Sequence, residues 1–125
     1  MAFSLNTRKI DNVVIVDLAG QLIFGESVLL LRDTVRRFVE DGTREFVLNL
    51  GDVSYIDSSG LGGLIGIHKS VKDEQGDVNL LSLTKRSRGL LQTTKLLTVF
   101  DTFDDETQAV RALTGRALTV EHSNR

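Results

Sequence analysis

Cysteine and proline are both missing from this 125-residue chain. Without cysteine there is no disulfide, no iron–sulfur cluster and no thiolate chemistry, and the composition fits a reducing compartment. Without proline nothing rigid marks an internal boundary, and no linker, repeat or low-complexity stretch does so either. Histidine is scarce: His68 and His122 are the only two, too few for a histidine-rich metal site. Basic charge is not in excess, since 15 Lys and Arg stand against 17 Asp and Glu for a formal net charge of −2. That leaves no electrostatic footprint for nucleic acid and no polybasic arm for anionic lipid. Long apolar runs are absent too, all falling far short of the roughly 20 residues that cross a bilayer. Met1-Ala2-Phe3-Ser4 opens without the charged and then apolar pattern of a secretory signal. The expectation is a soluble cytoplasmic protein with no nucleic-acid partner and no membrane insertion.

What is present is an ordinary globular composition, 41% apolar and 26% charged, in a length that suits one domain with one core. Ser4 to Ile10 alternates weakly, as an edge strand does. Asp11-Asn12 is a turn signal, and Val13 to Leu18 is a β-branched strand, so the two strands form an antiparallel hairpin. Gly20 to Gly25 reads as a loop. From Glu26 to Asp41 the period becomes helical, with Val28, Leu31, Val35, Phe38 and Val39 on one stripe and Gly42 as the stop. Leu29 and Leu30 fall off that stripe, either under a neighbouring loop or in a partner surface.

Arg44 to Leu50 is the next strand, apolar enough for burial on both faces. A helix from Ser58 to about Gln75, closed by Gly76, follows. Asp77 to Thr84 is a strand, Lys85 to Thr94 a short helix, Thr98 to Phe103 a last strand and Asp104 to Leu113 a last helix. Asp104, Asp105 and Glu106 suit the dipole at the start of that helix. Strands alternating with helices after an initial hairpin predict an α/β fold, a mixed sheet of about five strands with helices packed on it.

The stretch Asp57-Ser58-Ser59-Gly60-Leu61-Gly62-Gly63 carries the chemistry. It places two hydroxyls at a helix N-terminus, where the first backbone N–H groups lack partners and the dipole favours negative charge. Ser58 there is either an N-cap or a phosphorylation site. A phosphate would add about −1.5 to −2 charge at pH 7 beside Asp57, which this end of a helix tolerates and a docked partner does not. At 100° steps, Leu61, Leu64, Ile65, His68 and Val71 gather toward the sheet. Gly62, Gly63 and Gly66 gather outside with Ser59 and Ser70. Each glycine costs a helix about 1 kcal/mol against alanine. Three together on one face imply that something comes close to the backbone: a partner, or a neighbouring helix of the same chain.

Enzyme readings fail on the residues. Ser58 lacks the Gly-x-Ser-x-Gly elbow, and neither histidine is placed to serve it. Ile65 stands where a dinucleotide fingerprint needs its third glycine, and there is no Gly-Lys-Ser/Thr loop. His68, on an apolar face, reads as a buried or boundary side chain. Lys85, Arg86 and Arg88 read as a solvated helix start, with an acidic partner as the other reading. No enzyme activity, cofactor or metal is expected.

From Val13 to Leu113 the chain resembles the STAS-domain family, specifically its single-domain bacterial anti-sigma factor antagonists. The resemblance rests on Val13 to Leu18 with Gly20-Gln21-Leu22, on Phe46-Val47-Leu48-Asn49-Leu50, and above all on Tyr55-Ile56-Asp57-Ser58-Ser59-Gly60-Leu61-Gly62. It implies a STAS domain over residues 1–113 and a tail over 114–125 that has little to bury and frays. It also implies a partner switch. In the family the unphosphorylated antagonist binds an anti-sigma factor that is a serine/threonine kinase of histidine-kinase-like ATPase fold, and so frees a sigma factor. ATP-dependent phosphorylation releases the antagonist, and a PP2C-type phosphatase resets it. The family's acceptor serine maps onto Ser58, with Asp57 and Ser59 flanking it. Gly60 to Gly66, including Gly62 and Gly63, correspond to the helix at the kinase interface. One position departs: Ile23 follows Gly20-Gln21-Leu22 where many antagonists carry an aspartate, and Glu26 is the nearest carboxylate beyond it. The same family also supplies non-switching scaffolds of signalling assemblies and cytoplasmic subunits of lipid-transport ABC systems. An intact Asp-Ser-Ser argues against the transport subunit.

Overall fold

The computed structural model describes residues 2–123, with side chains through Thr114. Five strands and four helices follow in order: β1 (Ser4–Ile10), β2 (Val13–Leu22), α1 (Glu26–Glu40), β3 (Glu45–Ile56), α2 (Ser58–Asp73), β4 (Asp77–Leu81), α3 (Lys85–Thr93), β5 (Asp101–Phe103) and α4 (Glu106–Ser123). The strands lie side by side in chain order in one sheet. The first pair is antiparallel, with Ser4 opposite Ala19 and Ile10 opposite Val13. All later pairs are parallel. This is the mixed α/β sheet with an N-terminal hairpin that the sequence predicts.

Because each crossover steps the same way along the sheet, right-handed connections put α1, α2 and α3 on one face. Strand alternation then sorts the core into two layers. Val14, Val16, Leu18, Phe46, Leu48 and Leu80 face the three helices, while Val13, Ile15, Val47 and Leu81 meet Ala109, Val110 and Leu113 of α4. Beside the start of α4 the second face turns polar. There Asp17 accepts from Arg8 Nε at 2.6 Å and from Asn49 Nδ2 at 2.8 Å, and Arg8 reaches Glu106 at 2.6 Å. The Arg8 guanidinium holds the Asp17 carboxyl below its ordinary value.

Several boundaries differ from the sequence reading. Gly20-Gln21-Leu22, read as the start of a loop, ends β2, and β3 runs on from Leu50 to Ile56 beside it. Two register shifts, between Asp17 and Ala19 and between Gly20 and Gln21, let the ladder continue. Gly51, Asp52, Ser54 and Tyr55 are exposed there, and only Val53 and Ile56 of this part of the strand reach the core. β4 stops at Leu81 because Thr84 turns to cap α3, its hydroxyl accepting from Ser87 N at 3.0 Å. The expected strand from Thr98 shrinks to Asp101–Phe103. Leu96 is instead buried from a short 3₁₀ turn over Leu96–Thr98, and Phe100 from the bend that follows it. α4 runs on to Ser123; the last two residues of the segment expected to fray, Asn124 and Arg125, lie outside the described residues.

On α1 the stripe of Val28, Leu31 and Val35 is buried as expected. Leu29 is 59% exposed and Leu30 42%, so neither lies under a loop. On α2 the expected phase needs correction. Ile67 is the buried isoleucine at 3% exposure and Ile65 the exposed one at 44%. Gly63 also turns inward.

Candidate functional site

The carboxyl ends of β2 and β3 are level, Leu22 beside Ile56, so the segments that follow them leave the sheet as neighbours. Asp57 is the only residue between β3 and α2, and its backbone N donates to Leu22 O at 3.3 Å. Its carboxylate does two jobs. Oδ1 accepts from Gly60 N at 2.8 Å, which is the N-cap bond of α2. Oδ2 accepts from Phe24 N at 3.0 Å, which fastens the β2–α1 loop to the same helix end. The Phe24 and Gly60 amides hold the Asp57 carboxyl below its ordinary value, so it is an anion near neutral pH.

This corrects the capping alternative for Ser58. The cap is Asp57, and Ser58 is the first helical residue, exposed, with no hydrogen bond from its hydroxyl among the described residues. Ser58 is spared the capping duty, since Asp57 already accepts from Gly60 N. Ser59 is half-buried behind it.

The glycines that follow divide into two kinds. A Cβ on Gly60 would stand 2.2 Å from Leu22 O, so this buried glycine lets the helix start sit directly on the end of β2. A Cβ on Gly63 would stand 3.0 Å from Val28 Cγ1, so Gly63 faces α1 rather than outward. The neighbouring-helix reading holds at Gly63, and the expectation of an outer face is overturned there. Gly60 and Gly63 are therefore buried beneath the surface and not part of it. Gly62 and Gly66 would meet nothing within 4 Å. Gly62 is exposed, and half-exposed Gly66 opens onto a groove between α1 and α2 shared with Leu29, Arg36 and Ser70.

Phe24 is the residue the sequence reading missed. It is 81% exposed, and it sits one hydrogen bond from Asp57. An aromatic side chain in a loop of three residues between a strand and a helix was the available signal. Glu26, the nearest carboxylate to Ile23, is exposed at the first turn of α1 and forms no hydrogen bond or ion pair among the described residues. His68 is half-buried with its ring 5.0 Å from that of Phe100, the boundary position expected of it. Lys85 and Arg86 are exposed at the start of α3, and Arg88 lies 3.6 Å from Asp104. Among the described residues no cluster of His, Cys, Asp and Glu could hold a metal ion, and no helix is long and apolar enough to cross a membrane.

Comparison with known proteins was decided by one match: the STAS-domain family model covers residues 4–109. The chain belongs to the STAS-domain family. It is 32% identical over 101 residues to the anti-sigma-B factor antagonist of Bacillus subtilis (strain 168), covering 81% of this chain and 91% of that one. A crystal structure of a putative anti-sigma factor antagonist from Thermotoga maritima superposes with a TM-score of 0.82 at 27% identity, covering 88% of this chain and 94% of the other. The Bacillus cell fate determinant SpoIIAA in its phosphorylated form matches with a TM-score of 0.69 over 89% of this chain and 98% of its own, at 23% identity, and shows the shared fold. The Bacillus subtilis and Thermotoga maritima relatives are thus both named as anti-sigma factor antagonists.

Proposed function

We propose that this protein is a cytoplasmic anti-sigma factor antagonist switched by phosphorylation of Ser58. Unphosphorylated, it binds an anti-sigma factor that is also a serine/threonine kinase of histidine-kinase-like ATPase fold, and the bound kinase no longer holds its sigma factor. The kinase supplies ATP and magnesium. Ser58 Oγ attacks the γ-phosphorus, the bond to the bridging oxygen breaks to leave ADP, and the hydroxyl proton passes to a base of the kinase. A PP2C-type phosphatase returns the serine by hydrolysis.

The observation that carries this reading is the free, exposed Ser58 hydroxyl at a helix start whose cap is supplied by Asp57. Modifying Ser58 removes no hydrogen bond from the fold. The added charge of about −1.5 to −2 sits where the α2 dipole favours an anion. It also sits beside the Asp57 carboxylate, so the surface changes from one negative charge to nearly three while the domain stays folded. A partner fitted to the unmodified surface then meets bulk and like charge at its centre. The docking surface comprises Asp57, Ser58 and Ser59 with the open glycines Gly62 and Gly66. Gly60 and Gly63 contribute by letting α2 sit close to β2 and α1. The phosphorylated SpoIIAA relative supports the reading, because it carries the modification on this fold.

The test is a pair of baits in native lysate, Ser58→Ala and Ser58→Asp. The expected result is that the alanine form captures the histidine-kinase-like ATPase and the aspartate form does not. Equal capture by both, or intact-mass and fragment analysis placing the phosphate on Ser59 alone, overturns the assignment.

A further inference from the structure

We propose that Phe24 is the specificity-determining anchor by which the kinase grips this protein, with Asp57 as the positioning residue that presents it; the inference rests on the reading of Ser58 as acceptor. Phe24 is the most exposed large apolar side chain among the described residues, at 81%. Its backbone is nevertheless held by hydrogen bonds at its own amide and at the residue before it. Phe24 N donates to Asp57 Oδ2 at 3.0 Å, and the preceding Ile23 N donates to Ser27 Oγ at 2.9 Å, while Ser27 Oγ donates back to Ile23 O at 2.9 Å. The ring is therefore held out in water on an ordered loop, where it adds nothing to the core. Aromatic side chains presented this way are the residues that dominate protein interfaces.

The location selects the occupant. A kinase must cover Ser58 to reach its hydroxyl, and a standard interface covers roughly 800 Å² on each partner, a disc about 16 Å in radius. Phe24 is bonded through its amide to the residue directly before Ser58, so its ring falls inside any such footprint centred on the acceptor. The carboxylate that caps the acceptor helix also sets the height of the ring above it. Ile23 precedes Phe24 in the loop, and an apolar pair there suits a kinase whose facing surface is apolar and disfavours one built to receive a carboxylate.

The test uses the purified anti-sigma kinase of the native host with magnesium and ATP, this protein as substrate, and Phe24→Ala, Phe24→Leu and Val99→Ala as variants. Val99 is an exposed apolar control at the far end of the sheet. It precedes Asp101, which is level with Asn79 and Val47, whereas the site lies beyond Ile56 on β3. The expected result is a KM for Phe24→Ala raised by about tenfold or more with kcat on Ser58 unchanged. Phe24→Leu recovers most of the loss and Val99→Ala behaves as wild type. All variants keep the wild-type unfolding midpoint, since the ring is outside the core. Phosphorylation of Ser58 with an unchanged KM for Phe24→Ala overturns the anchor and leaves the switch standing. A wild-type protein that the kinase neither binds nor modifies overturns both. Sedimentation of wild type as a dimer and Phe24→Ala as a monomer makes Phe24 a contact between copies of this chain and overturns the anchor.

Discussion

Gly60 and Gly62 stand two residues apart in one motif and do opposite things. At Gly60 the surrounding backbone leaves no volume for a side chain, with Leu22 O 2.2 Å from where a Cβ would lie. At Gly62 the same turn of helix opens to solvent, with nothing within 4 Å. The first glycine is required by the fold, because α2 must begin in contact with the end of β2. The second lowers helix stability with no packing in return, which is what a surface reserved for a partner looks like. A glycine-rich string is thus two signals overlaid, and only packing separates them.

The largest expected effect breaks the first half of that comparison. Gly60→Ala forces a methyl group into a backbone carbonyl and destabilises the domain by about 3 kcal/mol, read as a lower denaturant midpoint. A wild-type midpoint in that variant would mean that α2 does not rest on β2 as described. Next comes Asp57→Asn, which weakens the cap and the tie to Phe24 together. It lowers the thermal midpoint by less than Gly60→Ala, with increased amide exchange at Phe24 and Gly60 as the local readout. The same carboxylate gives a pH signature. The folded pKa values of Asp57 and Asp17 are depressed below the ordinary 3.8, so between the folded and unfolded values the unfolded chain binds more protons. Their stabilisation is complete above the ordinary value and is lost as pH falls through the depressed ones. Acid unfolding of Asp57→Asn should therefore show a weaker dependence on pH below about 4 than wild type. The smallest effect has the opposite sign. Gly62→Ala and Gly66→Ala should each stabilise the domain by about 0.5–1 kcal/mol while weakening kinase binding. Stabilisation without any loss of binding would show that the open glycines are not part of the docking surface.

Much of the fold was legible because the hydrophobic period changes cleanly at Glu26, Arg44 and Ser58. The ends of β2 and β3 were not, since Gly51, Asp52, Ser54 and Tyr55 are exposed and the buried Val53 and Ile56 fall three apart, which is not the alternation of a strand. The three-residue β5 was blurred by Leu96 and Phe100, buried from a turn and the bend that follows it. At the candidate site, Asp57-Ser58-Ser59 marked the start of a helix, where the structure has it. The sequence reading offered Ser58 as the cap and not Asp57, because the cap depends on which side chain the end of β3 points back toward Gly60 N. The outward placement of Gly63 failed for a similar reason, while Gly62 and Gly66 lie open as expected. An ideal wheel placed Ile65 inward, and the packing of α2 against both α1 and the sheet turns Ile67 and Gly63 inward instead. Phe24 was hidden because an aromatic residue in a short loop is ordinarily assigned to the core.

The measurement that reaches the central claim most directly is calorimetric titration of the purified kinase with this protein in two forms, unmodified and stoichiometrically phosphorylated on Ser58, each with its unfolding midpoint recorded. The account predicts that phosphorylation weakens binding by about a hundredfold or more, on the scale of a buried like-charge contact, and leaves the midpoint essentially unchanged. Equal affinities for the two forms would contradict it, as would a loss of binding that simply tracks unfolding of the phosphorylated domain.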